Sequence, residues 1–168
     1  IVREGYFDTV TIDRNRLYSQ LLDNLNKAAV VGFPYDEIGP RLKAAWTGDP
    51  IQLRMYDDVQ MCVDLFRAYC LEHNLLAFSL QVELFMGHLW PLEKSRAYLT
   101  NQYRHLIVEN IEEDTAATHL MLKKWLPECE SALVIYDTDA GYRRFLGADP
   151  ISAYKLRDLC ERKVTLDE

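Results

Sequence analysis

The chain has 168 residues and a mass of 19.6 kDa, with 49% hydrophobic and 27% charged residues, a globular composition with room for one ordinary domain or two small ones. A net charge of -7 and a pI near 5.1 exclude a uniformly basic, nucleic-acid-coating protein, although a local basic patch remains compatible with them. Cys62, Cys70, Cys129 and Cys160 are widely separated and form no CxxC pair. They read as reduced thiols of a cytoplasmic protein, with no zinc site. The longest apolar runs, such as Ala132–Tyr136, fall far short of the roughly 20 residues of a membrane helix.

In chain order, Leu17, Leu21, Leu22, Leu25, Ala28 and Ala29 recur at helical spacing after Asp13, a suitable N-cap, and Gly32-Phe33-Pro34 stops the helix. A short helix with Ile38, Leu42 and Ala45-Trp46 on one face follows, ending at Gly48-Asp49-Pro50. Met55, Val59, Cys62-Val63, Phe66 and Tyr69-Cys70 form a longer helical stripe that His73-Asn74 closes. Further helices are predicted over Ser79–Trp90, broken by Pro91, and over Leu92–Asn101. From Tyr103 the pattern changes to an apolar run, His105–Val108, a helix over Thr115–Trp125 and a second run, Ser131–Tyr136. That is a βαβ signature. Neither run alternates, which predicts strands covered on both faces. Two strands are marginal alone, so further strands or the helical region should cover them. The expected organisation is a helical region over 1–100 and an α/β region over 101–168.

Ligands of open parallel sheets bind beyond the carboxyl ends of the strands, and both ends are acidic here. Glu109-Asn110-Ile111-Glu112-Glu113-Asp114-Thr115 follows the first strand and Asp137-Thr138-Asp139-Ala140-Gly141 the second. A carboxylate at such an edge can hold a hydrated Mg2+ beside a nucleotide phosphate, and another can orient a water. Equally, Asp114 or Thr115 can cap the next helix while the glutamates favour its dipole. The spacing favours capping.

The stretch Tyr103-Arg104-His105-Leu106-Ile107-Val108-Glu109-Asn110-Ile111-Glu112-Glu113-Asp114-Thr115 resembles the Walker B segment, motif II, of superfamily 1 DNA helicases of the UvrD/Rep/PcrA type, F-R-H-I-L-V-D-E-F-Q-D-T. Further on, Ala132–Pro150, reading ALVIYDTDAGYRRFLGADP, is similar to their motif III, V-V-G-D-x-D-Q-S-I-Y-x-F-R-G-A-D-P. Upstream, Tyr69–Phe78 resembles the stretch ending G-L-V/L-D-F inside their helical insertion, called 1B. The resemblance spans about residues 55 to 160. It implies a 1B-like helical subdomain joined to part of a RecA-like P-loop NTPase core, with Mg2+ and ATP as cofactors of the whole protein and single-stranded DNA as partner. The phosphate loop G-x-x-x-x-G-K-[ST] is absent from this sequence, which begins at Ile1 rather than Met and stops at Thr165–Glu168, about where the family's N-Y-R-S motif would begin. The chain therefore reads as an interior piece of a longer one, inactive alone.

The departures are specific. The position of the family's Mg2+-holding Asp carries Glu109, and that of its catalytic Glu carries Asn110, an amide that cannot act as a base. Losing a general base typically costs about 10²–10⁴ in rate. Glu112 or Glu113 could take over through a bulge. In motif III the phosphate-sensing Gln is Ala140, the coupling Tyr is Arg143 and the usual Arg is Leu146, while Asp137, Asp139, Phe145, Gly147 and Ala148 are kept. The resemblance implies that Glu109, Asp137, Asp139 and Ala140 lie near nucleotide and Mg2+, and that Tyr142, Arg143, Arg144 and Phe145 face DNA. The competing expectation is a helicase-derived pseudoenzyme acting as a nucleic-acid or protein-binding scaffold. A small hydrolase with metal on Glu109, Asp137 and Asp139 lacks an accompanying nucleophile. Trp46, Trp90 and Trp125 read as core rather than stacking platforms, Cys62 and Cys70 as buried apolar residues, and His73, His88, His105 and His119 as core or surface histidines without a chemical partner.

Overall fold

A computed structural model of the chain describes residues 5–8 and 10–166; Ile1, Asp167 and Glu168 lie outside the described residues. The architecture is mostly helical with a small two-stranded parallel sheet, an α/β arrangement. It divides into two compact units, 1–83 and 84–168, so that the helical stretch from 84 to 102 groups with the strands.

The first unit is built on α1 (Arg14–Val31), α2 (Ile38–Ala45) and α3 (Leu53–Glu72), with α4 (Phe78–Leu84) at the boundary. Asp13 caps α1 by accepting the amides of Asn15 and Arg16 at 2.9 and 3.2 Å, satisfying two donors that the first turn leaves without partners. Gly32 ends the helix in the left-handed region, at φ 87°, and donates to the Ala28 carbonyl. The spaced apolar residues of α1 and α3 meet as expected: Leu17, Leu21, Leu25 and Ala28 pack with Ile38, Val59, Cys62 and Val63 in one core. Gly39 lets α2 approach α3 closely. A Cβ there would stand 2.8 Å from the Tyr56 carbonyl oxygen, and its amide donates to Gln60 Oε1 at 2.8 Å.

In the second unit the helix predicted to reach Trp90 changes its winding. Phe85–Leu89 is a π-helical turn, closed by the Trp90 amide donating to the Phe85 carbonyl. Trp90 is buried against Phe85 and Trp125, and Tyr103 meets Trp125 edge-on. Helix α5 (Glu93–Gln102) leads into β1 (His105–Val108), α6 (Ala116–Trp125), β2 (Ser131–Val134) and the short α7 (Pro150–Tyr154). The strands run parallel, with His105 beside Ser131 and Val108 beside Val134.

One expectation is corrected here. The strands are covered on one face only: Leu106, Val108, Val134 and Tyr136 pack on Ile111, Leu122, Ala153 and Leu156, whereas Ile107 is 73% exposed and Leu133 54%. A four-residue apolar run without alternation tells which side chains are apolar, not how many layers stand over them. Among the described residues no helix is long and apolar enough to cross a membrane.

Candidate functional site

The residues singled out by the sequence gather in the two loops that leave the carboxyl ends of β1 and β2. The loops are fastened together by backbone first: the Ile135 amide donates to Val108 at 2.8 Å and the Ile111 amide to Ile135 at 3.3 Å. Farther along, the Asp149 amide donates to the Asp114 carbonyl at 2.9 Å, beside a bridge pairing Thr115 with Ala148.

Glu109 is exposed, and among the described residues its carboxylate has no hydrogen-bond or ion-pair partner. Asn110 stands in the left-handed region at φ 54°, and its carbonyl accepts the Glu113 amide at 2.9 Å, closing a tight 3-10 turn over Ile111–Glu113. Asn tolerates that conformation better than other non-glycine residues because its short polar side chain bonds locally. A backbone requirement thus accounts for an asparagine at position 110.

The turn then sends its two glutamates different ways. Glu112 points inward, 1% exposed, and its Oε2 accepts the Asp137 amide at 3.1 Å. Glu113 turns outward to Arg143, with Nε 3.0 Å from its Oε2. Asp114 is partly buried, and that burial pushes its carboxyl above the ordinary value; nearby His119 opposes the shift and Glu112 adds to it. Thr115 occupies the N-cap of α6 but makes no side-chain cap bond; its hydroxyl lies 3.3 Å from that of Thr118.

On the second loop, Asp137 accepts the Asp139 amide at 2.9 Å, a local turn that leaves both carboxyl groups exposed, and Ala140 is half-buried. Gly141, at φ 98°, lies against Pro150 and opens a 3-10 turn over Tyr142–Leu146 that Gly147, at φ 100°, ends. Tyr142 and Phe145 are 79% and 74% exposed. Arg144 is exposed and, among the described residues, has no side-chain partner.

Sequence reasoning missed what lies beneath. His119 is buried, its Nε2–H donates to the Ile111 carbonyl at 2.8 Å, and its Nδ1 meets the Ser152 hydroxyl. Since a carbonyl can only accept, His119 carries a proton on Nε2, and the Ser152 hydroxyl that its Nδ1 meets also donates to the Asp149 carbonyl at 3.2 Å. Asp149 caps α7 through the amides of Ile151 and Ser152, both at 3.1 Å. Burial alone would raise its carboxyl, but the Ser152 and Ile151 hydrogen bonds, with His119 nearby, outweigh it and hold the carboxyl below the ordinary value. The pair Asp149-Pro150 is an N-cap followed by a proline and could have announced this helix start. Nothing in the spacing of His119 and Ser152 could have announced their contact.

Among the described residues no three His, Cys, Asp or Glu side chains form a group able to hold a metal ion, so Glu109, Asp137 and Asp139 are not a ligand set by themselves. A lone exposed carboxylate such as Glu109 does match what Mg2+ takes from protein when it keeps its waters and shares nucleotide phosphates. The tryptophans are held in local packing. Trp90 and Trp125 sit in the aromatic cluster, and Trp46 stands edge-on to Tyr56 with its Nε1–H on the Asp49 carbonyl. Arg41 and Lys43 are paired to Glu37 and Asp57.

No protein-family model matches the chain, and neither does any curated protein or solved structure.

Proposed function

We propose that this chain is an interior segment of a superfamily 1 DNA helicase or translocase of the UvrD/Rep/PcrA type, part of a P-loop NTPase core, contributing contacts to single-stranded DNA and part of a nucleotide site without hydrolysing ATP by itself. The observation that carries the reading is the turn at Tyr142–Leu146. Two aromatic side chains stand in solvent there beside Arg144, which has no side-chain partner among the described residues, after an acidic strand end. Aromatic faces stack on unpaired bases whatever their sequence, and guanidinium groups take phosphates. The order of the two loops after parallel strands, with the residues matching motifs II and III, supports the family.

In this reading Glu109 is the residue that would hold hydrated Mg2+ between protein and ATP phosphates, the ion supplying charge neutralisation when bound. Asp137 and Asp139 would line the same edge. The second reading, a pseudoenzyme retained as a nucleic-acid or protein-binding scaffold, is favoured by Asn110 and by the inward turn of Glu112, whose carboxylate is occupied by the Asp137 amide. Glu113 is likewise held, by Arg143.

ATP hydrolysis by the purified full-length protein, with and without single-stranded DNA and beside an Asn110→Glu variant, separates the two. DNA-stimulated turnover in the unaltered protein supports the motor and moves the base to another residue. No turnover, in a protein that still binds single strands in a salt-dependent manner, supports the scaffold.

A further inference from the structure

The two arginines of the exposed turn are not equivalent. Arg144 has no side-chain partner among the described residues, whereas Arg143 lies with its Nε 3.0 Å from Glu113 Oε2. The carboxylate is the fixed member of the pair. Glu113 follows Ile111 and Glu112, both essentially buried, its own amide is bonded to Asn110, and its side chain is only 23% exposed. The arginine is the free member. Its side chain is 63% exposed, and its backbone departs from helical geometry, φ -84° and ψ 22°, between two left-handed glycines.

A guanidinium presents one planar fork of donors, and carboxylate and phosphate compete for it with the same bidentate geometry. We propose that Glu113 is a resident competitor for Arg143, a carboxylate that occupies the guanidinium until a phosphate of single-stranded DNA displaces it. The proposal rests on the reading that the Tyr142–Phe145 turn contacts DNA. A pair this exposed is weak enough to be exchanged, so the carboxylate tunes affinity rather than blocking binding.

The test is binding of a fluorescent polythymidine oligonucleotide to the 168-residue chain, measured by anisotropy over a salt series. Glu113→Gln should bind about two- to fivefold more tightly at low salt, the size expected for releasing an exposed pair. Its plot of log K against log salt should keep about the slope of the unaltered chain, because Arg143 reaches the phosphate in both complexes. Glu113→Asp, which keeps the charge and shortens the arm, should shift in the same direction. Arg143→Ala should bind more weakly, with a slope shallower by about 0.7, and adding Glu113→Gln to it should give no gain. An equal gain with and without Arg143 would mean that only net charge was changed, and would overturn the proposal. So would binding that needs Tyr142 and Phe145 but ignores both Glu113 variants. Absence of binding by every form, or binding indifferent to Tyr142→Ala and Phe145→Ala, would overturn the DNA reading and the proposal together.

Discussion

Glu112 reaches from the loop after β1 to the loop after β2 and accepts the Asp137 amide at 3.1 Å while almost wholly removed from solvent. A buried carboxylate in that position ties the two loops together. Replacing it by Ala leaves the Asp137 amide without its partner, which costs about 1–3 kcal/mol. Glu112→Gln keeps a carbonyl acceptor and should lose roughly half as much. Urea unfolding of the two variants beside the unaltered chain measures both.

His119 forms the second tie, between the Ile111 carbonyl and Ser152. His119→Ala opens a cavity and orphans a buried carbonyl, for an expected loss of about 2–4 kcal/mol. Ser152→Ala should cost about 1 kcal/mol. The double variant should fall short of the sum, because both remove the same contact. Denaturant midpoints of the four proteins give the coupling directly.

Asn110 has its own prediction, set by its φ of 54°. Asn110→Gly should change stability by less than about 0.5 kcal/mol, since glycine takes this conformation freely. Asn110→Glu should cost about 1 kcal/mol, the strain of a longer side chain in the left-handed region. Thermal melts decide it. The cost bears on the Asn110→Glu variant proposed above, because the new acid must also be held in a strained backbone.

Two carboxyl groups near His119 respond to pH in opposite senses. Asp114 is raised in the folded protein from 3.8, so its contribution to stability is present below that value and is lost as pH rises through its folded value. Asp114→Asn should therefore be more stable than the unaltered chain at neutral pH, with the gain vanishing toward acid. Asp149 is lowered, so its contribution is present above 3.8 and disappears as pH falls through its folded value. Asp149→Asn should be less stable at neutral pH, and the deficit should close in acid. Urea midpoints at a series of pH values from neutral to about 3 separate the two.

Much of the helical framework was legible because it rests on local signals. Asp13 and Gly32 mark the ends of α1 by side-chain capping and by a positive φ, and the stripe from Met55 to Cys70 marks the inner face of α3 by its 3.6-residue spacing. Both strands were also found, because short β-branched and aromatic runs after a helix stop have few other uses. The number of layers over them was not, since a strand side chain in solvent and one in a core are written with the same letters. The loops were located by their acids, yet the division of labour between Glu112 and Glu113 depends on the turn that Asn110 begins, and adjacent glutamates look alike in sequence. The contact of His119 with Ser152 joins residues far apart in the chain and leaves no periodic trace.

The open side of the sheet has a calorimetric consequence. Unfolding raises the heat capacity mainly through apolar surface that was dry in the folded state and becomes wet. Ile107 and Leu133 are already largely wetted, so the strands contribute to that increment from one face only. The chain should melt with a heat-capacity change below the ~12–15 cal/mol/K per residue of ordinary globular proteins and with a correspondingly shallow dependence of stability on urea. Scanning calorimetry of the chain beside an Ile107→Thr variant tests this: the variant removes apolar surface that is wet in both states and should leave the increment almost unchanged, whereas Val108→Thr, on the covered face, should lower it.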